Sequence, residues 1–556
     1  MKEKLETQWA TLIKHMHVWT LASLADSVLH ILLPGYHISL TKNPKTPSTA
    51  AKSGEYVMIQ ADPALTIYDG RKADGGPSTA APPIHIFHPI FETFMRRIND
   101  PNFQPPPSII LETRELMRST SIIAYTEARK AEDICIKLSH IIGQVVHGIV
   151  NFDKTSPDAA GLYDVDGIPA PFVMIEIKRE YGDTGYDPAT QASFSFQRNW
   201  QSKYVSAISQ LVSVSFNDVV QASTMRQRCC CPTFILVLGG PWFGVLGGIF
   251  TDKFVVQRLT DLMWTAESSL YEDSRIDKTA RVFYALRTCL QDLRVYYRGI
   301  KDLPVELSGP ELELTNPSRF FPYSTSFTAV DPDSGQDRMW RFKYLYALEN
   351  FSACVTYLGE ILDEPRMGEQ IVVKFVTRYG EEVHQFLEQR GHAPKLHYFG
   401  PLRNGGDSYG NIWPGAKSSP LGLHFGPLKM VVMEYIRPSK APHDSKKQVL
   451  DVVKKLHHNG FVFGDLRMPN VLFDDDKNVK FIDFDWAGRY DKNVTDEELS
   501  SRELSSQEGA CPFARYPLAL SRSVDWVLPV EKLELSFIRP SHDLEMIQKH
   551  FGSMSA

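Results

Sequence analysis

Apolar residues along this chain change period several times, and each change marks an element. Between Ser121 and Val146 the positions Ile134, Leu138, Ile141 and Ile142 recur at helical spacing, which predicts an amphipathic helix. The following "AAGLYDVDGIPAPFVMIEIK" reads as two strand runs around a turn at Val165-Asp166-Gly167. "DPATQASFSFQRNWQSKYVSAISQLVSV" returns to a helical pattern. From Cys229 to Phe250 the chain carries no charge and is long enough to span a bilayer. Its glycines and the turn signal Gly239-Gly240-Pro241 instead predict two buried strands, and a helix-rich stretch follows to about Arg298. This order of helix, strand pair, helix and strands predicts an α/β domain with a mixed sheet flanked by helices.

The flanking segments are read from punctuation. Residues 1–110 combine a helical start with the proline-rich "PKTPSTAAKSG" and "GGPSTAAPP", which predict exposed loops in an N-terminal extension. The α/β domain is then expected over 111–303, a loop-rich linker over 304–338, and a further domain over 339–556. In that last domain, strands are predicted near Leu345 to Glu360 and at "IVVKFV", then a helix, a strand and a second helix. A chain of 556 residues is too long for one ordinary core, in keeping with this division.

Composition excludes several classes. An apolar fraction of 43% and a charged fraction of 23% belong to globular rather than disordered chains. The net charge of -6 gives no global basic footprint, so contact with nucleic acid requires a local cleft. Seven cysteines with no CxxC pair argue for reduced thiols and against structural zinc. The polar N-terminus is unlike a signal peptide, and an intracellular protein, nuclear or cytoplasmic, with no membrane span is expected.

Two constellations carry chemistry. Pro157-Asp158 opens the first strand run, and Glu176-Ile177-Lys178 closes the second. A strand puts residues i and i+2 on one face, so Glu176 and Lys178 project together while Ile177 packs inward. Two carboxylates can hold magnesium and a neighbouring ammonium can orient water, which is a kit for phosphodiester hydrolysis. "EIKREYGDTGYDPATQ" closely resembles the restriction-endonuclease-like, PD-(D/E)xK, domains of Crinkler-type effector proteins and related fungal proteins. The resemblance implies that Asp158 and Glu176 bind metal and that Lys178 assists catalysis on DNA. It also matches Glu180, and implies that Gln191 lines the cleft and that an earlier helix supplies an acid, Glu127 or its rival Glu132. Asp164 and Asp166 compete with Asp158 for the metal role, although Asp166-Gly167 has the chemistry of a turn.

The second constellation runs in the order needed for phosphoryl transfer. Lys374 lies in "IVVKFV", and Glu382, or alternatively Glu381, lies on the following helix to anchor it. Glu434 and Tyr435 end a strand, where their backbone groups are expected to meet adenine. "FGDLRMPN" supplies Asp465 as base, Arg467 beside it and Asn470 for metal; "FIDFD" supplies Asp483 as the main metal ligand. The set resembles the fungal branch of the protein-kinase-like fold, which implies an α+β bilobal domain binding ATP and Mg2+. Asp543 is then the aspartate that braces the catalytic loop, and the C-lobe is expected to be shortened. Phe463 and Gly464 replace the usual His-Arg, Asp485 replaces a glycine, and "LENFSACV" lacks the glycines of a phosphate loop.

A nuclease-like domain fused to a kinase-like domain resembles the Crinkler-type arrangement, though the first hundred residues show no ubiquitin-like header and no LFLAK-type motif. The resemblance implies a magnesium-dependent DNA endonuclease joined to an ATP-binding module with a protein phosphoacceptor. Two other readings stand beside it: a Ser/Thr protein kinase whose first domain only binds nucleic acid, and a pseudokinase scaffold.

Overall fold

The computed structural model describes residues 45–123, 126–144, 146, 157–165, 168–182, 185, 187–201, 226, 228–267, 272–300, 317–331, 334–402, 427–490, 513–518 and 520–551. The N-terminal stretch and Asp166 of the first hairpin turn lie outside these residues. The chain divides into two compact units, Met1–Tyr323 with Asn350–Cys354, and Ser324–Glu349 with Val355–Ala556.

In the first unit, α1 (Pro47–Ala50), α2 (Ser53–Ala61), α3 (Pro89–Asn99), α4 (Pro107–Thr120) and α5 (Glu127–Ile142) precede the sheet. The strands are β1 (Ala159–Val165), β2 (Ile168–Lys178), β3 (Thr233–Gly239), β4 (Trp242–Phe250), β5 (Phe254–Arg258) and β6 (Met263–Trp264); α6 (Pro188–Gln201) follows β2 and α7 (Glu272–Ile300) follows β6. Their order is β1-β2-β3-β4-β5, with β6 also on β4. Only β2 and β3 run parallel, so the sheet is mixed. The uncharged run from Cys229 is indeed two strands turning at Gly240 and Pro241. No helix among the described residues is long and apolar enough to cross a membrane.

Alternation along the strands sorts the two faces. Phe234 on β3 meets Phe91 and Phe94 of α3, and Phe243 on β4 meets Phe283 of α7. On the opposite face α6 packs Phe196 over Gly248 and donates Trp200 Nε1 to Thr233 Oγ1 at 3.2 Å. Glu176 and Lys178 belong to this α6 face, because β2 pairs Glu176 with Val237 and Lys178 with Gly239.

Three boundary expectations are corrected. Residues 45–110 are not an extension: α3 packs on the sheet and on α7, and Tyr68 bridges to Val255 of β5. Within "PKTPSTAAKSG", Pro47–Ala50 forms α1 and Ser53 begins α2, since Pro47 starts a helix readily at its first position. The expected linker over 304–338 does not hold in its later part, because Ser326–Val330 is a strand of the second unit, while residues 304–316 lie outside the described residues. Short β5 and β6 were missed by periodicity; two to five residues carry too little pattern.

The second unit opens with β7 (Ser326–Val330), β8 (Asp337–Ala347), β9 (Thr356–Ile361), β10 (Gln370–Val376), α8 (Glu381–Glu388), β11 (Leu396–Pro401) and β12 (Lys429–Glu434). These strands form an antiparallel sheet in the order β11-β12-β10-β9-β8-β7. Its end strands come together, Phe327 of β7 lying 6.3 Å from the His397 and Tyr398 rings of β11, so the sheet nearly closes. Next come α9 (Ser445–His458), β13 (Phe461–Val462), β14 (Val471–Phe473), β15 (Val479–Phe481), β16 (Gly488–Arg489), α10 (Val530–Leu533) and α11 (Pro540–Phe551). They bury one apolar cluster that includes Val453, Leu456, Phe463, Leu466, Phe481 and Met546.

The Phe234 contacts carry a stability prediction. Phe234 is fully buried between two rings, so Phe234→Ala should cost about 3–5 kcal/mol, transfer and cavity terms together. Urea unfolding of the two chains side by side measures this, and a loss below about 1 kcal/mol would contradict the placement of α3 on the sheet.

Candidate functional site

A buried lysine stands at the centre of each unit. In the first, Lys178 Nζ donates to Glu127 Oε1 at 2.8 Å, pairs with Glu176 Oε1 at 2.9 Å and lies 4.0 Å from Asp158 Oδ2. Four side chains thus converge from three elements: the start of β1, the end of β2 and the first turn of α5. The hairpin register makes this possible. Ala159 faces Ile175, so Asp158 stands just before β1 beside the end of β2, where its Oδ2 accepts the Ile177 amide at 2.6 Å. Thr126 caps α5 and leaves Glu127 at the first helical position, aimed at the strand.

Burial sets the electrostatics. Glu176 is only 1% exposed. Burial and the neighbouring Asp158 push its carboxyl up to about 8 from an ordinary 4.5, against the pull of Lys178. Asp158 is raised as well, by burial, with Lys178 and the Ile177 amide opposing. Burial disfavours the Lys178 ammonium, but Glu176, Asp158 and Glu127 outweigh it and hold the lysine charged.

Glu180, Glu132 and Asp164 are not brought into this centre. Glu180 turns to Lys130, 3.8 Å away, and lies over Gly240. Lys130, which no motif singles out, is buried and donates to the Arg179 carbonyl at 3.0 Å. Glu132 is exposed on α5, so Glu127 is the helix acid that reaches the lysine. Asp164 pairs with Pro169 at the far end of the hairpin, roughly 20 Å along the strand from Glu176, and is excluded. Gln191 is buried in the first turn of α6, on the same face, with no hydrogen bond to its Oε1.

The residues that could hold a magnesium ion here are Asp158 and Glu176. The carboxylate oxygens are hard ligands, and magnesium often takes only one or two protein carboxylates with water completing the shell. Glu176 Oε2 is buried without a hydrogen-bond partner, an orphan that a cation would satisfy. No group of three or more His, Cys, Asp or Glu side chains among the described residues forms a ready metal cage.

In the second unit Lys374 sits in the middle of the sheet on β10. Its Nζ donates to Asp483 Oδ1 at 2.7 Å and pairs with Asp485 Oδ1 at 2.8 Å. Glu382 does not anchor it, which corrects the sequence reading. The buried face of α8 is Val383, His384 and Leu387, one residue out of phase with the Glu382–Phe386 stripe. Glu382 is exposed and forms a two-point pair with Arg489. His384 instead stacks on Phe484, ring centroids 4.4 Å apart. Asp485 takes the anchoring role, and burial together with Asp483 raises its carboxyl to about 7 despite Lys374. Burial also opposes charge on Asp483, but Lys374 prevails and holds that carboxyl below its ordinary value. Asp483 has φ of 66°, a left-handed strain uncommon outside glycine.

The loop after β13 is held from beneath. Asp543 accepts the Phe463 amide at 2.9 Å and the Gly464 amide at 2.8 Å. Gly464 has φ of 84°, and a Cβ there would stand 2.6 Å from Ile538, so no arginine fits this position. Asp465 is gripped by Arg467, with Nη2 at 2.5 Å from Oδ2 and Nε bonded to the other oxygen. Asn470 Nδ2 donates to the Asp465 carbonyl at 2.9 Å, which leaves its Oδ1 for a cation. The Glu434 and Tyr435 amides are donated to the Lys395 and Gln370 carbonyls at 2.9 and 3.3 Å, so neither is available to adenine.

No family model matches the chain, and no curated protein matches its sequence.

The raised Glu176 carboxyl predicts a pH signature. Its folded value of about 8 exceeds the ordinary 4.5, so the folded chain binds this proton more tightly than the unfolded chain. That contribution is complete below the unfolded value and disappears as pH rises through the folded one. Melting temperatures of metal-free protein should therefore fall from about pH 5 to about pH 8 relative to Glu176→Gln. Parallel profiles for the two chains would contradict the assignment.

Proposed function

We propose that the first unit is a magnesium-dependent endonuclease acting on DNA and that the second is a protein-kinase-like module that binds magnesium-ATP and regulates it. The convergence of Glu127, Asp158, Glu176 and Lys178 on one centre, with Glu176 and Lys178 buried, carries this reading. Asp158 and Glu176 would hold the ion, which supplies a more acidic bound water and charge compensation for the leaving oxygen. Lys178 places a fixed ammonium beside the two carboxylates, where it orients the attacking water and offsets charge growing on the phosphate. Glu127 holds Lys178 in that position. Burial of Glu176 and Lys178 strengthens their interaction, while Glu127 and Asp158 stay open to solvent in part.

For the second unit, support comes from the strand order β8-β9-β10-β12-β11 with Lys374 on the middle strand, and from the Asp543 brace under the Asp465 loop. These features are similar to the nucleotide lobe and catalytic loop of protein kinases. Asn470 and Asp483 would hold the metal and Lys374 the phosphates. Two observations favour nucleotide sensing over transfer to a protein hydroxyl. Lys374 is already clamped by two aspartates, and Arg467 occupies both oxygens of the intended base.

Two predictions separate these parts. Glu176→Gln and Lys178→Met should each slow magnesium-dependent plasmid nicking by about a thousandfold, the rate equivalent of several kcal/mol of charge stabilisation. Both should keep nucleotide binding; nicking at the wild-type rate would sink the endonuclease reading. In the second unit, Asp485→Asn removes one carboxylate from Lys374 and should tighten magnesium-ATP binding by about tenfold, read by calorimetry. Asp483→Ala should remove that binding, and unchanged affinity in both variants would show that the lysine centre is not the nucleotide site.

A further inference from the structure

A lane of partly exposed rings leads away from the Lys178 centre across the sheet. Lys178 pairs with Gly239 on β3, Gly239 with Trp242 on β4, and Trp242 with Trp264 on β6. Directly paired residues project from the same face, so these four positions form one row running from the buried lysine to the sheet edge. Strands lie roughly 4.8 Å apart, which places Trp242 about 10 Å and Trp264 about 14 Å from the lysine position. Gly239 leaves a gap in the row, and Tyr181 fills it: a Cβ on Gly239 would stand 2.9 Å from the Tyr181 ring. Tyr181 is 38% exposed, Trp242 36% and Trp264 45%, and the two indoles meet edge to face at 4.9 Å. Tyr181 is fixed through its hydroxyl, which donates to Asp187 at 2.8 Å. The end of the lane is fixed by Arg275, whose Nη2 donates to the Trp264 carbonyl at 2.9 Å.

We infer that Tyr181, Trp242 and Trp264 form a stacking platform for unpaired nucleobases, so that the substrate class of the Lys178 centre is single-stranded DNA or an unpaired segment. The inference rests on the endonuclease reading and names its substrate. Three large rings left open to water in one row offer π-faces that bases can cover, and every base has such a face. A paired duplex keeps its base faces stacked on one another and presents its backbone instead. Backbone recognition draws on clustered positive charge, which a chain of net charge -6 does not supply overall. Stacking is the term this surface can supply. The row also has direction, since a strand laid over Trp264 and Trp242 is led over Tyr181 to the carboxylates.

The test uses full-length Glu176→Gln, which should bind without cutting. Fluorescence anisotropy compares labelled oligothymidine with a blunt duplex of equal length. Oligothymidine should bind at least about tenfold tighter and quench tryptophan emission; Trp242→Ala and Trp264→Ala should each weaken it by about tenfold. Trp→Phe at either position should retain most of the affinity, and melting temperatures should not change, because both side chains are partly exposed. Equal affinity for duplex, or alanine variants that bind like the parent, would overturn the platform. If wild-type protein still nicks plasmid in that case, the endonuclease reading survives alone. No binding and no cleavage by wild type would remove both. A dimer seen by light scattering and lost in Trp242→Ala would make the lane a self-association surface and likewise overturn the inference.

Discussion

A buried ammonium surrounded by carboxylates from distant parts of the chain is the constraint on which both units depend. Removing a charge from water costs several kcal/mol per ion, and only close opposite charges return it. Lys178 therefore requires Glu176, Asp158 and Glu127 together, and Lys374 requires Asp483 and Asp485. Each lysine sits on an interior strand. A slip of one residue in β2 or β10 would turn the lysine to the opposite face and bury it without partners. Strand register, hairpin geometry and helix placement are thus all tied to the same two points.

That constraint has opposite consequences in the two units. Around Lys178 the carboxylates outnumber the ammonium, and Glu176 Oε2 has no hydrogen-bond partner. Burial therefore raises the Glu176 carboxyl, while Asp158 and Glu127 keep partial access to water. Around Lys374 the acids come from adjacent positions of one short segment, Asp483 and Asp485, and they saturate the lysine. Beside it, Asp483 has a left-handed backbone and Arg467 pairs with both oxygens of Asp465. The first centre combines three acids from three elements around its lysine, whereas the second pairs its lysine with two acids of one segment.

Much of this was legible in the sequence because it follows from short-range geometry. The i, i+2 spacing of Glu176 and Lys178 fixes them on one face wherever β2 lies. Pro157-Asp158 opens β1, and the hairpin returns it to the end of β2 without reference to anything distant. The D-x4-N spacing of Asp465 and Asn470 likewise places the asparagine amide on the aspartate carbonyl within one loop. The division of the uncharged run from Cys229 into two strands was fixed by Gly239-Gly240-Pro241, a turn signal that no helix accommodates.

The tertiary structure alone decided which groups meet across elements. Helical periodicity could not settle whether Glu382 or its neighbours face inward, because α8 spans barely two turns. Packing against Phe484 put His384 inside and left Glu382 on the surface with Arg489. The anchoring of Lys374 by Asp485 joins β10 to a segment far along the chain, and no local pattern encodes such a pair. The row from Lys178 to Trp264 is likewise invisible in sequence, since it exists only once four strands are in register. Local chemistry specified the reactive side chains, and long-range pairing specified what each of them faces.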